Sequence, residues 1–305
     1  MARSPAHKWG QIIGQEFLEV ALEPVLRAVA VEHGLYLDVK GERPARAGKK
    51  ISWADDFGNA HDLDFVLERG GAADRIGDPV AFIETAWRRY TKHSRNKAQE
   101  VQGAVLPLAT RHHRHAPFVG VILAGAWTAG AVRQLTSLGF KVLHFGYEDM
   151  VDAFTEVGID ARFGEDTPDA ACAAKVRAWG RLSGADKDRV GQRLLAIKSA
   201  EVAAFVAELR AAITRQIEVI RVLPLHGRAA ERATVEAAIE YIDRYDESAA
   251  GRRPLVKIEV QIRYNNGDVV NALFSAKPAA ISFLDSFRPA VRPVARSGGS
   301  RGSAE

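Results

Sequence analysis

The sequence predicts an α/β core with a mixed central sheet flanked by helices, followed by a helical accessory region and a C-terminal β-hairpin. Three observations favour this fold class. Apolar residues recur at helical spacing near the N-terminus, two apolar strand-like segments enclose a turn-rich stretch, and strand and helix patterns alternate over 118–157. With 305 residues, 47% of them hydrophobic, the chain suffices for one large domain with an attached module or for two modest domains.

The predicted core covers residues 10–165 and opens with antiparallel elements. A helix is expected over 10–31, where Pro24 is expected to bend or split it. Segments 62–67 and 80–84 are predicted as strands, because each is apolar and turn residues separate them. They are expected to pair as an antiparallel hairpin.

The second half of the core is predicted to be parallel. A helix is expected to begin at Ser94, which can cap it, and to end near Pro107. Strands at 118–123 and 141–145, each followed by a helix-like segment, predict a parallel pair with a right-handed crossover.

The C-terminal part changes composition twice. Residues 170–250 are predicted to form a helical accessory region that contains a short strand at 217–223. Alternating apolar residues and the turn signal at Asn266-Gly267 predict a β-hairpin within 254–287. Residues 288–305 are rich in Pro, Arg, Ser and Gly, which predicts a disordered tail.

Charge and cysteine content limit the function classes only broadly. The net charge of +4 permits a nucleic-acid partner without requiring one. Cys172 is the single cysteine, which excludes an intramolecular disulfide and a Cys-rich zinc site and fits a reducing cytoplasm. Because the sequence has no signal-like apolar segment and no stretch of about 18 apolar residues, we expect a cytoplasmic protein without a membrane partner.

Two acidic residues stand within the apolar strand segments. Asp64 precedes Phe65-Val66-Leu67, and Glu84 ends the second segment. A carboxylate on a sheet that also carries core residues is costly without a partner such as a metal ion. On neighbouring strands, the two acids can reach one divalent cation, which would activate a water and stabilise charge on a phosphate. Alternatively, both are ordinary acids at strand ends, or Asp62 faces inward instead.

This order of elements resembles a known nuclease superfamily. A helix with Glu16, a strand with Asp64, a strand with Glu84 and then a basic helix are similar to the core of the PD-(D/E)XK (restriction-endonuclease-like) superfamily, over residues 10–160. The resemblance implies that Asp64 and Glu84 ligate Mg²⁺ and that Glu16 adds to the metal site. It also implies a restriction-endonuclease-like core.

The sequence departs from that superfamily at its lysine. Ala86 occupies the position two residues after the second acid, where the superfamily has the lysine that orients the attacking water, and no proline precedes Asp64. The resemblance then implies that the lysine comes from a neighbouring element. The candidates are Lys92 and Lys97, with Glu100 as an additional acid.

The segment after Glu84 combines cations with aromatic residues. Such a mixture suits a phosphate backbone, where Lys and Arg provide affinity and aromatic rings stack on bases. The alternative is a solvent-facing start of a helix. The predicted nucleic-acid-binding residues are Arg88, Arg89, Tyr90, Lys92, Arg95 and Lys97.

These features predict a Mg²⁺-dependent DNA endonuclease, and the resemblance to type II restriction endonucleases implies a restriction or defence role. Cutting both strands of a duplex needs two active sites, so we expect a homodimer. One alternative is a catalytically inactive nucleic-acid-binding subunit with the same fold. The other is a nucleotide-binding α/β protein that uses the turn at Gly125, although that turn lacks the usual phosphate-loop motifs.

Overall fold

The computed structural model describes residues 4–225, 227–247 and 257–288. The chain forms two compact units, Met1–Arg215 and Gln216–Glu305. The predicted tail lies outside the described residues, except for its first residue. No helix within the described ranges combines the length and the apolar character needed to cross a membrane.

The first unit contains a five-stranded mixed sheet and a separate two-stranded hairpin. Its strands are β1 (Leu35–Val39), β2 (Ile51–Ala54), β3 (Ala60–Leu63), β4 (Phe65–Arg69), β5 (Asp78–Arg88), β6 (Phe118–Gly125) and β7 (Lys141–Phe145). The large sheet has the order β1-β4-β5-β6-β7. β4 is antiparallel to β1 and β5, whereas β5, β6 and β7 are parallel. The predicted antiparallel and parallel pairings are both confirmed.

Helices cover both faces of this sheet. They are α1 (Pro5–Gln11), α2 (Phe17–Glu32), α3 (Ser94–Arg111), α4 (Ala129–Ser137), α5 (Tyr147–Thr155), α6 (Asp169–Gly180), α7 (Gly184–Ile197) and α8 (Ser199–Ile213). A π-helical turn, Ile12–Glu16, joins α1 to α2, and a 3₁₀ turn, Thr91–His93, precedes α3. The α/β class with a mixed central sheet flanked by helices is confirmed.

Side chains alternate between two cores along β5. Ala81 and Ile83 pack with α2 and with α5 to α8, whereas Phe82 and Ala86 pack with α3 and α4. This alternation follows from the two-residue period of a strand. Because both faces are covered, the central strands are almost wholly apolar, and a polar residue within them is conspicuous.

The structure corrects two expected element boundaries. The predicted strand over 62–67 is two strands: β3 pairs with β2, β4 pairs with β5, and Asp64 lies between them. The prediction that α3 ends near Pro107 is also wrong, because the helix continues to Arg111. Pro107 lies between Val105 and Leu108, and burial of these two side chains compensates for the hydrogen bond that proline cannot make.

A buried ion network fixes the loop between β1 and β2. The Arg43 guanidinium is 2.8 Å from the Asp38 carboxylate and 2.6 Å from that of Glu68. Arg46 also pairs with Asp38, at 3.1 Å. The Arg43 side chain is buried, and its guanidinium pairs with both carboxylates. Its loss would therefore remove a positive charge that balances buried negative charges.

The second unit repeats a β-β-α pattern. It comprises β8 (Ile217–Pro224), β9 (Ala230–Arg232), α9 (Val235–Arg244), β10 (Ile258–Tyr264), β11 (Val269–Phe274) and α10 (Lys277–Asp285). The antiparallel sheet has the order β11-β10-β8-β9. The predicted C-terminal hairpin is confirmed, with Gly267 at φ +87° in its turn. The helices predicted over 170–250 are divided between the units, since α6 to α8 belong to the first.

Candidate active site

Both predicted acids line one cavity of about 410 Å³ in the first unit. A carboxylate-bearing cavity of this size is typical of small-ligand and active sites. The complete lining consists of His7, Gly10, Gln11, Gly14, Asp64, Glu84, Thr85, Ala86, Trp87, Arg88, Arg89, Lys97 and Phe163.

Asp64 is fixed by the strand beside it. Its Oδ2 atom accepts hydrogen bonds from the backbone N–H of Thr85 at 2.8 Å and from the Thr85 hydroxyl at 2.6 Å. The break between β3 and β4 frees Asp64 from the sheet ladder, so its side chain can turn towards β5. Asp62 is different: its exposed carboxylate pairs with Lys50 at 2.5 Å, on the β2–β3 hairpin.

Glu84 lies beside Asp64 and is strongly perturbed. Burial is the main cause that raises the pKa of Glu84 to about 9, and the negative charge of Asp64 and a hydrogen bond to it act in the same direction. The positive charge of Lys97 opposes this rise. At neutral pH and without a cation, Glu84 therefore keeps its proton.

Lys97 is the predicted lysine that the structure brings to the cavity. It comes from the first turn of α3, and its ammonium is 3.1 Å from the Glu100 carboxylate. Ala86 is buried in the same apolar cluster as Ala98 and Val101 of this helix. Lys97 and Glu84 thus line one cavity, and the positive charge of Lys97 acts on the Glu84 carboxyl.

Lys92 and Glu100 lie outside the cavity lining. Lys92 is exposed and pairs with Glu165 at 3.1 Å. Glu100 is 58% exposed and, besides Lys97, is 3.7 Å from Arg88. The structure therefore separates the two lysine candidates, with Glu100 as the outer partner of Lys97.

Glu16 and Glu19 differ in their surroundings, and neither lines the cavity. Glu16 is exposed and pairs with Lys8 at 3.0 Å. Burial, and next the charge of Asp64, raise the pKa of Glu19 on α2. The π-helical turn that ends at Glu16 adds a residue to one turn and shifts the helical phase between α1 and α2.

The predicted nucleic-acid-binding residues do not share one environment. Arg88 and Arg89 line the cavity, whereas Arg95 is exposed on α3. The Arg88 Nε atom is buried and has no hydrogen-bond partner among the described residues. Arg89 lies 4.0 Å from the ring centre of Tyr147 and donates to the Phe163 carbonyl, and Tyr90 is 5.0 Å from Arg89.

Glycines bring the cavity walls close together. A Cβ on Gly14, in the π-helical turn, would lie 2.5 Å from the Trp87 Cβ, so only glycine allows the helix to contact β5 there. Gly125, at φ +86°, packs against the Arg88 carbonyl. In the turn after β6, Trp127 is buried and donates to Ala124, and Thr128 caps α4. The side chains of Trp127 and Thr128 in this turn are therefore engaged in packing and in capping α4.

The donor set fits a cation that prefers oxygen ligands. No group of three or more His, Cys, Asp or Glu side chains is arranged to hold a metal ion within the described ranges. The site instead offers Asp64 and Glu84, whose carboxylate oxygens would hold such a cation once Glu84 has lost its proton.

Comparisons of the chain with family models, curated proteins and solved structures found no match. The assignment of a function therefore depends on the chemistry of the cavity itself.

Proposed function

We propose that this protein is a nuclease that hydrolyses DNA phosphodiester bonds with Mg²⁺ held by Asp64 and Glu84. The observation that supports this best is the meeting of two hydrogen-bonded carboxyls and one ammonium, that of Lys97, in a single cavity. Carboxylate oxygens are suitable Mg²⁺ ligands. Two acids and a nearby lysine are also the groups that the superfamily resemblance implies for this reaction.

The chain's own groups would supply orientation and charge. The cation, when bound, lowers the pKa of a water and stabilises negative charge on the phosphate. Thr85 fixes the Asp64 carboxylate through two hydrogen bonds, so the Asp64 side chain loses little rotational freedom when a ligand binds. Lys97 neutralises charge on the phosphate oxygens as water attacks phosphorus and the bond to the leaving oxygen breaks.

Arg88 is proposed to bind a phosphate of the DNA backbone. Burial lowers the pKa of its guanidinium, and its Nε–H is unpartnered in the part of the chain that the structure describes. A buried donor without a partner costs free energy, which an anionic oxygen in the cavity would recover. Arg89 is held by Tyr147 and Phe163 and contributes positive charge to the same wall.

A second candidate is a DNA-binding subunit without catalytic activity. Ala86 at the superfamily's lysine position favours it, as does the small number of metal-binding side chains in the described residues. The homodimer and the restriction or defence role stay predictions.

Cleavage of plasmid DNA with Mg²⁺ separates these candidates. We expect wild-type protein to cut, and Asp64→Asn and Glu84→Gln to reduce the rate by at least about a hundredfold. Glu208→Gln is a matched control, because Glu208 is an exposed acid that pairs with Lys141 at 3.9 Å. Mg²⁺-dependent cutting that persists in Asp64→Asn would reject the site. DNA binding without cutting in all proteins would favour the inactive subunit.

A further inference from the structure

The two edges of the sheet in the second unit are unlike. β9 is three residues long and carries Glu231 and Arg232, whereas β11 is six residues long and contains neither a charged residue nor proline. No strand of the described residues pairs with the outer side of β11. Proteins usually shorten or charge an edge strand, because its unpaired backbone groups are a template for another strand. β9 is protected in this way and β11 is not.

The outer side of β11 presents backbone groups at every second residue. The Tyr264 N–H donates to the Asp268 carbonyl at 2.9 Å, which fixes the hydrogen-bonding phase of the β10–β11 pair. Because bonded and non-bonded positions alternate along an antiparallel ladder, the N–H and C=O groups of Val269, Asn271 and Leu273 point away from β10. These three residues can therefore form hydrogen bonds with a further strand.

The side chains of the same three residues lie on the sheet face opposite α10. Phe274 contacts Phe283 of α10, with 5.1 Å between the ring centres, and side chains alternate in direction along a strand. Val269 is 46% exposed and Leu273 is 58% exposed, whereas Val270 is only 9% exposed. Two apolar side chains are thus exposed to solvent beside the edge of β11.

The residue pattern of β11 is complementary to itself. Val269 and Leu273 are each two residues from Asn271, on opposite sides of it. If two copies of β11 pair antiparallel about Asn271, each Val269 lies opposite the partner's Leu273, and the outward-facing residues exchange backbone hydrogen bonds. The two central amides then face each other, and an amide has both donor and acceptor groups. This contact uses the same patch on both copies, as a two-fold dimer requires.

We infer that two copies of this chain associate through β11, so that their sheets join into one continuous antiparallel sheet. The inference gives the predicted homodimer a surface and does not depend on DNA hydrolysis. One edge strand from each copy forms a small interface, so the dimer dissociates on dilution, with a dissociation constant on the order of 10 µM.

Sedimentation velocity of the full chain, from about 1 to about 200 µM, measures this equilibrium. We expect wild type to change from mostly monomer to mostly dimer over this range. Leu273→Lys should weaken association at least about tenfold, because a charge on an edge strand opposes pairing. Leu138→Lys is the matched control, since Leu138 is a 45% exposed leucine of the first unit, and it should associate like wild type.

Two double variants test the register and the identity of the partner. Val269→Lys with Leu273→Lys places like charges opposite each other in the two-fold pair and should keep the chain monomeric. Val269→Lys with Leu273→Glu places opposite charges there and should associate at least about tenfold more tightly than the first double variant. Both change the same two exposed positions, so a general effect on folding would not separate them.

Each outcome either supports the β11 contact or overturns it. Wild type that stays monomeric over the whole range would overturn the inference, and another segment of the chain or a different protein would then cover β11. Equal association by the two double variants would also overturn it, because the contact would lie elsewhere. The measurement contains neither DNA nor Mg²⁺. A dimer that depends on β11 but does not cut DNA would therefore support this interface while the proposed hydrolysis fails.

Discussion

Glu84→Gln is expected to stabilise the metal-free protein while it abolishes DNA cleavage. The pKa of Glu84 is raised from 4.5 to about 9, mainly by burial and then by Asp64. Between these two values the native state holds a proton that the unfolded state has released. Stability is therefore complete below the unfolded pKa and falls as pH rises through this window.

The gain can be bounded from the same values. At pH 7 the native protein keeps Glu84 protonated about 2.5 pH units above its ordinary pKa, at about 1.4 kcal/mol per unit, so the cost is at most about 3–4 kcal/mol. Glutamine resembles the protonated carboxyl and avoids this cost. The substitution should therefore raise the free energy of unfolding by up to about 3–4 kcal/mol at pH 7 and by almost nothing below about pH 4.5.

Urea unfolding over a pH series, with chelator and with Mg²⁺, measures both parts of this prediction. With Mg²⁺, wild type should become more stable, and increasingly so at higher pH, because the cation replaces the proton. Glu84→Gln should lose most of this stabilisation, whereas Glu208→Gln should behave like wild type. A variant no more stable than wild type at pH 7, or a gain independent of pH, would show that Glu84 is ionised in the native protein.

Four further substitutions test the site and the scaffold. Lys97→Ala should reduce the cleavage rate by about a hundredfold or more, because Lys97 lines the cavity. Lys92→Ala should change the rate little, because Lys92 is exposed and lies outside the lining. Equal cleavage rates for the two variants would contradict this assignment. Gly14→Ala should destabilise the protein by about 1–3 kcal/mol in urea unfolding, because its Cβ would lie 2.5 Å from the Trp87 Cβ, and unchanged stability would refute that contact. Arg43→Met should lower the free energy of unfolding by about 3–5 kcal/mol in the same assay, because it removes the guanidinium partner of the buried Glu68 carboxylate and leaves Asp38 with Arg46 alone.

The sheet could be predicted from the sequence because its signals are local. Apolar runs bounded by turn residues mark the strands, and the turn-rich stretch before β5 favours an antiparallel pair. The break at Asp64 could not be predicted in this way. Neither glycine nor proline marks the break, and the change of partner from β2 to β5 depends on contacts between distant parts of the chain.

The acids of the site were predictable, and the other residues that line its cavity were not. A carboxylate inside an apolar strand is visible in the sequence as an anomaly, which singles out Glu84. The resemblance implied Glu16, which the structure leaves exposed and paired with Lys8. Gly10 is an ordinary helix residue until the fold brings Phe163 next to it.

The position of the lysine connects packing to chemistry. Residues 84 and 86 share one face of β5, so a lysine at 86 would have to place its stem between the strand and α3. Ala86 instead lets Ala98 and Val101 pack closely against the strand. This contact holds the first turn of α3 near Glu84, and Lys97 belongs to that turn. The small Ala86 side chain thus allows α3, which carries the positive charge of Lys97, to pack on β5. A change that weakens the α3–β5 contact would therefore also change the charge that Lys97 exerts on Glu84.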